Sequence, residues 1–233
     1  MTDRTNVVIA GASGIVGARA LHHLLSRDDV ASVIALGRRL LPERHEKLAS
    51  RIVDWGSESA IASAIPDSTA VAVCCLGTTL KQAGSKAAFQ AVDHDAIVAF
   101  ATAAREKGAE RFALVSSLGA DRRARNFYLR TKGETEEALA QLNFAQLIVV
   151  RPSFIDDQGM RRESRPLERL MLPVARVIFS VIGKTSRYAP VSADVIGKAI
   201  VRLALDDTTT ERVRIVESDQ LHQLGTGPAL AGR

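Results

Sequence analysis

Short apolar runs alternate with segments of helical periodicity along the first two thirds of the chain. The apolar runs are 6–11, 31–37, 50–54, 69–77, 111–117 and 145–152. They contain many β-branched residues and little regular alternation with polar ones, which is typical of strands buried on both faces of a sheet. Helical patterns between them cover about 15–26, 86–107 and 127–142. Strands separated by helices of this length form right-handed βαβ units, so the pattern predicts an α/β fold with a doubly wound parallel sheet.

The chain beyond residue 152 has a less regular pattern. We predict irregular and helical structure up to about 210, with an amphipathic helix at 170–184, then a strand at 212–218 and a frayed tail. Charges interrupt every apolar stretch before it reaches about eighteen residues, so we expect no membrane span. Without a repeat or a low-complexity linker, we expect one domain over 1–233, with a cofactor part at about 1–151 and a small substrate-side part at about 152–233.

The first predicted strand runs directly into a glycine-rich turn, GASGIVG, in which Gly11, Gly14 and Gly17 are spaced three apart. Glycines at such a strand–helix junction allow a tight turn, close approach of the backbone to a pyrophosphate and close packing of the helix on the strand. The helix N-terminus adds unpaired N–H groups and the positive end of its dipole. The junction therefore predicts a dinucleotide site in a Rossmann fold; a tight turn without a ligand is the alternative.

The ends of the next predicted strands carry residues that discriminate between cofactors. Arg38 and Arg39 end the second strand, where an acidic residue would bind a ribose hydroxyl and arginine accommodates a 2′-phosphate. We therefore predict NADP(H) over NAD(H), the alternative being two solvated loop charges. Asp54 is a candidate for binding the adenine amino group or for capping the following helix. Leu76 and Gly77 end the fourth strand, where backbone runs close to the predicted cofactor.

The fifth predicted strand ends in Ser116 and Ser117, and Tyr128 follows four residues before Lys132. Spacing of four stacks the two side chains on one helical face. A nearby ammonium favours the phenolate form of a tyrosine, which suits proton transfer near neutral pH. A serine hydroxyl at the same sheet edge can bind a substrate carbonyl oxygen. The three residue types predict a hydride-transfer site, with Ser117 favoured over Ser116 as the catalytic serine.

In this order of motifs the sequence resembles the short-chain dehydrogenase/reductase superfamily. More closely, it is similar to the atypical branch that contains the Tat-interacting-protein oxidoreductases. The segments that carry the resemblance are GASGIVG, GRR, CCLGTT, AGSKAAFQAVDHD, SSLGAD, FYLRTKGE, RPSFI, RRESRP and LHQLG. They extend from residue 11 to residue 225, and the CCLGTT and ESRP segments are more specific than the glycine motif.

The resemblance implies that NADPH is bound and that Tyr128 is the proton acceptor, with residues after Arg151–Pro152 lining the nicotinamide and substrate end. One departure concerns the fourth helix, where many superfamily members have an asparagine and this chain has Asp93 or a neighbour. The residues predicted to bind the cofactor are Gly11, Ser13, Gly14, Ile15, Val16, Gly17, Arg38, Arg39, Asp54, Leu76, Gly77, Tyr128, Lys132 and Arg151. The predicted catalytic residues are Ser117, Tyr128 and Lys132.

Charge and cysteine content narrow the remaining function classes. The net charge of +5 comes from dispersed arginine clusters, but aromatic residues are only 4% of the chain, and we expect anionic cofactor or substrate groups rather than nucleic acid. The two cysteines, Cys74 and Cys75, are adjacent, which disfavours a disulfide, and no metal site is predicted.

The N-terminus has no signal-peptide pattern, so we expect a cytoplasmic location. The sequence makes no prediction of oligomeric state.

Two functions remain open at this point. The first is an NADPH-dependent oxidoreductase acting on a small carbonyl or alcohol substrate through the Ser–Tyr–Lys mechanism. The second is an NADP(H)-binding regulatory or sensor protein that performs no turnover. Sensors can keep a glycine loop while losing the tyrosine or the lysine, so the presence of both Tyr128 and Lys132 favours the enzyme.

Overall fold

The computed structural model describes residues 4–156 and 188–226. Its strands are β1 (Thr5–Ala10), β2 (Val30–Gly37), β3 (Leu48–Ile52), β4 (Val71–Cys74), β5 (Arg111–Val115), β6 (Gln146–Arg151), β7 (Ile155–Asp156), β8 (Val191–Ser192) and β9 (Val213–Glu217). Its helices are α1 (Ile15–Leu25), α2 (Glu58–Ala64), α3 (Leu80–Ala83), α4 (Lys86–Gln90), α5 (Ala96–Glu106), α6 (Phe127–Gln141), α7 (Ala193–Ala204) and α8 (Ser218–Thr226). A π-helical turn, Ala91–Asp95, joins α4 to α5.

Seven strands form one sheet in the order β3-β2-β1-β4-β5-β6-β9, and every neighbouring pair is parallel. β7 and β8 form a separate parallel pair. The strand order reverses between β1 and β4. In open parallel sheets, ligands bind beyond the carboxyl ends of the strands at such a reversal. The predicted α/β fold with a doubly wound parallel sheet is confirmed.

Both faces of the sheet are covered, as the near-continuous apolar runs predicted. Along β1, Val7 and Ile9 pack into one core cluster with α1 and α7, whereas Val8 and Ala10 pack into a second cluster with α5. All four side chains are at most 2% exposed. Full burial of a side chain the size of valine or isoleucine stabilises the fold by about 1.5–3 kcal/mol, so the central strand fixes both helical layers.

Three elements differ from the sequence-based prediction. β3 lies at the sheet edge and begins two residues before the predicted 50–54, because its half-exposed residues give a weak hydrophobic signal. β4 ends at Cys74 rather than residue 77, since Cys75–Gly77 leave the strand beside the glycine turn. The helix predicted within 86–107 contains the π-helical turn. In addition, the short helix α3 and the strand pair β7–β8 were not predicted, whereas α2 is the helix predicted to follow Asp54.

Some predictions fall on residues outside the described ranges. These are the amphipathic helix at 170–184, the RRESRP segment that contributes to the family resemblance, and most of the C-terminal tail. The late strand predicted at 212–218 is present as β9. The single domain over 1–233 and its division near residue 151 stay a prediction. Among the described residues, no helix combines the length and the apolar character needed to cross a bilayer.

Candidate active site

The glycine turn between β1 and α1 has room for nothing larger than hydrogen at two of its positions. Gly11 has φ +82°, and a methyl group there would lie 2.6 Å from the backbone carbonyl carbon of Cys75. A methyl group at Gly17 would lie 2.1 Å from the carbonyl oxygen of Gly11. Both contacts are with backbone atoms that side-chain movement cannot relieve. The turn therefore holds the start of α1 tightly against the end of β1 and the end of β4.

The start of α1 has the features of an anion site. Ser13 and Gly14 are exposed, and Gly14 is the N-cap residue of α1. No side chain within the described ranges caps this helix end, so its first-turn N–H groups remain available. Ile15 is half-buried and Val16 is buried, so these two can contribute only through their backbone. The turn and the uncapped helix end fit the pyrophosphate of a dinucleotide.

The residues predicted to discriminate between cofactors lie at the same edge of the sheet. Arg38 and Arg39 directly follow β2, and both are exposed. Asp54 is also exposed, and its carboxylate accepts a hydrogen bond of 3.0 Å from the backbone N–H of Gly56. The N-cap of α2 is Ser57, whose hydroxyl accepts from the N–H of Ala60. Asp54 is therefore not the helix cap, and its role toward adenine stays a prediction.

Tyr128 and Lys132 occupy the first two turns of α6. Asn126 caps this helix by accepting a hydrogen bond from the N–H of Leu129, so the helix begins directly before Tyr128. The tyrosine ring is half-buried and lies 5.5 Å, between ring centroids, from the ring of Phe89. Lys132 is 4% exposed. The predicted pair thus lies with its lysine in the protein interior and its tyrosine at the surface of the site.

The ammonium of Lys132 forms a buried ion pair with Asp93, which lies in the π-helical turn. Lys132 Nζ is 2.6 Å from Asp93 Oδ1, and Asp93 is fully buried. The other carboxylate oxygen accepts a hydrogen bond of 2.8 Å from the backbone N–H of Thr78, and the Thr135 hydroxyl donates to the Asp93 carbonyl at 2.8 Å. The π-helical turn therefore connects the end of β4 to α6 through a single carboxylate.

The protonation state of Lys132 follows from these contacts. Burial by itself lowers the pKa of this ammonium, but the negative charge of Asp93 opposes it, with further contributions from Tyr128 and from the Asp93 hydrogen bond, and the pKa ends above the ordinary lysine value. Lys132 is therefore charged throughout the neutral range. Beside the pair, burial raises the pKa of the Cys74 thiol to about 12.

Gly77 connects the ion pair to the glycine turn. A methyl group at Gly77 would lie 3.5 Å from Asp93 Oδ1 and 3.7 Å from Lys132 Nζ. Gly77 is itself exposed and follows half-buried Leu76, whose backbone nitrogen would lie 2.7 Å from a methyl group at Gly11. Three predicted parts of the site, the turn, the end of β4 and the lysine, therefore adjoin one another.

The two serines after β5 have different partners. The Ser116 hydroxyl is buried and donates to the carboxylate of Glu136. Ser117 is half-buried, and its hydroxyl makes a long 3.5 Å contact with the carbonyl of Leu118. A hydroxyl already donated to a carboxylate cannot donate to a substrate at the same time. This difference supports Ser117 as the catalytic candidate.

Arg151 is held by carboxylates. Its Nη2 lies 2.5 Å and its Nε 3.1 Å from the two oxygens of Glu136, and Glu217 lies 4.0 Å away. The hydrogen bond to Glu136 outweighs burial and raises the pKa of the guanidinium. The guanidinium is thus committed within the protein, and the predicted contact of Arg151 with the cofactor stays a prediction. Sequence reasoning missed Glu136, although it lies one turn after Lys132.

Beyond Arg151, a hydrogen bond joins the segment that leaves β6 to the segment that enters β8. The Ser153 hydroxyl donates to the carbonyl of Ala189 at 2.6 Å. Phe154 and Tyr188 are 69% and 56% exposed. The predicted lining of the nicotinamide and substrate end by this region stays a prediction.

Comparison with known proteins agrees with this geometry. A family model described as NAD(P)H-binding matches residues 11–171. The mitochondrial protein Fmp52 of Aspergillus niger is 31% identical over 236 residues, which cover 95% of this chain and 99% of that protein. A short-chain dehydrogenase/reductase family oxidoreductase from Burkholderia thailandensis aligns with a TM-score of 0.68 and 18% identity, over 94% of this chain and 93% of that one. The Bordetella bronchiseptica enzyme WbmH, solved with NAD+, aligns with a TM-score of 0.66 and 16% identity, over 95% and 79%.

The fold and the glycine turn define a Rossmann-type nucleotide-binding protein. Since the family model matches well over half of the chain, and the Aspergillus relative spans nearly all of it, the chain belongs to the NAD(P)H-binding family that includes the Fmp52 proteins. The predicted NAD(P)-binding Rossmann domain is thereby confirmed. The matched relatives carry the name Fmp52, so the narrower resemblance to the Tat-interacting-protein oxidoreductases stays a prediction. At their low identity, the two solved structures support the fold alone.

The predicted cytoplasmic location is wrong. Several matched relatives from different fungi are named as mitochondrial proteins. The prediction relied on the lack of a secretory h-region, which concerns only the secretory route and carries no information on delivery to an organelle.

Proposed function

We propose that the protein is an NADPH-dependent oxidoreductase of the short-chain dehydrogenase/reductase type that interconverts a small carbonyl compound and its alcohol. The observation that carries the proposal is the buried, charged Lys132 one helical turn from Tyr128 and within 3.7 Å of a methyl position on Gly77, beside the glycine turn. A lysine this deeply buried is found almost only in an ion pair, and here Asp93 keeps its ammonium charged. Its position at the carboxyl edge of the sheet, next to a nucleotide cradle, supports a catalytic use.

Each side chain then has a definite task. The nicotinamide cofactor, when bound, supplies or accepts the hydride. Ser117 donates a hydrogen bond to the carbonyl oxygen of the substrate. During reduction, Tyr128 gives its phenolic proton to that oxygen and is reprotonated from solvent, and during oxidation it accepts the proton from the alcohol. The ammonium of Lys132 stabilises the phenolate formed on Tyr128.

The preference for NADPH rests on Arg38 and Arg39. A guanidinium pairs with a phosphate in a bidentate geometry and stays charged at every relevant pH, whereas neither arginine offers an acceptor to a ribose hydroxyl. Isothermal titration of the wild type is expected to give tighter binding of NADPH than of NADH, and Arg38→Ala should reduce that preference by about tenfold or more. Equal binding of the two cofactors by the wild type contradicts the preference while leaving nucleotide binding intact.

Turnover separates the enzyme from the sensor. NADPH oxidation is followed with a panel of small aldehydes and ketones, using wild type and Tyr128→Phe. The proposal predicts turnover by the wild type and a loss of about a hundredfold or more in the variant, while NADPH affinity changes little. Tight binding without turnover of any panel member favours the sensor. Full turnover by Tyr128→Phe eliminates the mechanism.

A further inference from the structure

Asp93 puts a negative charge where an uncharged amide would satisfy the same backbone hydrogen bond. Its Oδ2 accepts from the N–H of Thr78 at 2.8 Å, a role that an asparagine oxygen can also fill. What an asparagine cannot do is cancel the charge of Lys132, 2.6 Å from Asp93 Oδ1. The carboxylate is fully buried, so water screens this interaction little. The hydrogen bond to Thr78 therefore does not account for the negative charge of Asp93, whereas the charge of Lys132 does.

The pair lies next to Gly77, at the sheet edge where we propose that the nicotinamide end of the cofactor binds. Gly77 is exposed, and a methyl group built on it would lie 3.5 Å from Asp93 Oδ1 and 3.7 Å from Lys132 Nζ, so only the backbone of Gly77 separates the pair from the exposed edge of the sheet. The oxidised nicotinamide ring carries a positive charge, and the reduced ring is neutral. An uncompensated ammonium in this position opposes binding of the oxidised form and leaves the reduced form almost unaffected.

We propose that Asp93 is a positioning and charge-compensating residue that sets the preference of the site between oxidised and reduced cofactor. This inference rests on the proposed function. Lys132 stays protonated, but the carboxylate of Asp93 offsets its charge toward the nicotinamide ring, and this allows the cationic NADP+ to bind at the same site as NADPH. Removing one member of the pair shifts the preference, and the direction of the shift depends on which member is removed.

The test measures the dissociation constants of NADP+ and NADPH by isothermal titration calorimetry at pH 6.5 and pH 8. Asp93→Asn keeps an acceptor for Thr78 and leaves Lys132 uncompensated, so the ratio of the NADP+ constant to the NADPH constant should rise by roughly tenfold. Because burial lowers the pKa of an unpaired lysine, the two pH values test its charge directly, and the rise in the ratio should be larger at pH 6.5, where more of the lysine is protonated, than at pH 8. Lys132→Gln leaves the carboxylate uncompensated, and the same ratio should fall at pH 8. The double variant should return near the wild-type ratio.

Asp95→Asn is the matched control. It removes the same charge two residues away, from a side chain that is 62% exposed and contacts His94, so it should leave the ratio unchanged. If Asp93 has a purely structural role, Asp93→Asn weakens the binding of NADP+ and of NADPH by the same factor, and this result overturns the inference. If only one single variant folds, the sign of its shift decides alone. If the wild type binds neither cofactor, the proposed function is overturned as well. If all variants bind with the same ratio of the NADP+ and NADPH dissociation constants, only the inference is overturned.

Discussion

Replacing Lys132 with methionine should be among the most destabilising single changes in the chain. Methionine keeps much of the side-chain volume and removes only the ammonium. It leaves Asp93, fully buried, with a carboxylate facing no compensating charge, 2.6 Å from where the ammonium lay. Removing one partner of a buried pair typically costs about 3–5 kcal/mol, because the remaining charge stays desolvated. We expect a decrease of that size in the free energy of unfolding.

The pH dependence of this difference has a definite sign. The pKa of Lys132 is raised in the folded protein, so the pair stabilises the fold fully at pH values below the unfolded lysine pKa of about 10.4. The stabilisation is lost as the pH rises through the folded pKa, where Lys132 loses its proton. The difference in the free energy of unfolding between wild type and Lys132→Met should therefore be constant from neutral pH up to about pH 9 and shrink above about pH 10.

The assay is urea unfolding followed by circular dichroism, without cofactor. Lys107→Met is the control, because Lys107 lies 2.6 Å from Asp67 but the two side chains are 30% and 87% exposed. That exposed pair should contribute about 0–1 kcal/mol. Asp93→Asn combined with Lys132→Met should recover most of the lost stability. If Lys132→Met loses less than about 1 kcal/mol, as the control does, burial does not control the strength of the Asp93–Lys132 pair.

Three further outcomes are expected. Gly11→Ala should abolish measurable NADPH binding and lower the free energy of unfolding by about 3 kcal/mol or more. Its control is Gly84→Ala, at a similar φ of +80° but with nothing within 4 Å of the added methyl group, which should cost only about 1–2 kcal/mol. Equal losses in unfolding experiments would rule out the predicted backbone clash. Ser117→Ala should lower turnover in the NADPH-oxidation assay, and Ser116→Ala should chiefly lower thermal stability, with the reverse pattern contradicting the assignment. Cys74 should resist iodoacetamide at pH 8 and react after addition of urea, as read by mass spectrometry, because burial raises its pKa to about 12.

The parallel sheet, the glycine turn and the candidate Tyr–Lys pair could all be predicted from the sequence, because each depends on local spacing. Apolar runs without alternation follow from burial on both faces, and the spacing of Gly11, Gly14 and Gly17 follows from the geometry of one strand–helix turn. The four-residue separation of Tyr128 and Lys132 places them one turn apart on any α-helix. Such patterns can be recognised without knowing which strands are neighbours.

The partners of these residues could be known only from the three-dimensional fold. Asp93 and Lys132 meet because the π-helical turn beside β4 packs against α6, a contact between segments far apart in sequence. Sequence reasoning noted Asp93 only as a departure from a pattern. Likewise, the two adjacent serines are equivalent in spacing, and they differ because the carboxylate of Glu136 reaches Ser116. Strand order and helix packing determine which charged side chains come into contact. Local spacing therefore predicts the candidate residues, whereas their ion pairs and hydrogen bonds depend on how distant segments pack.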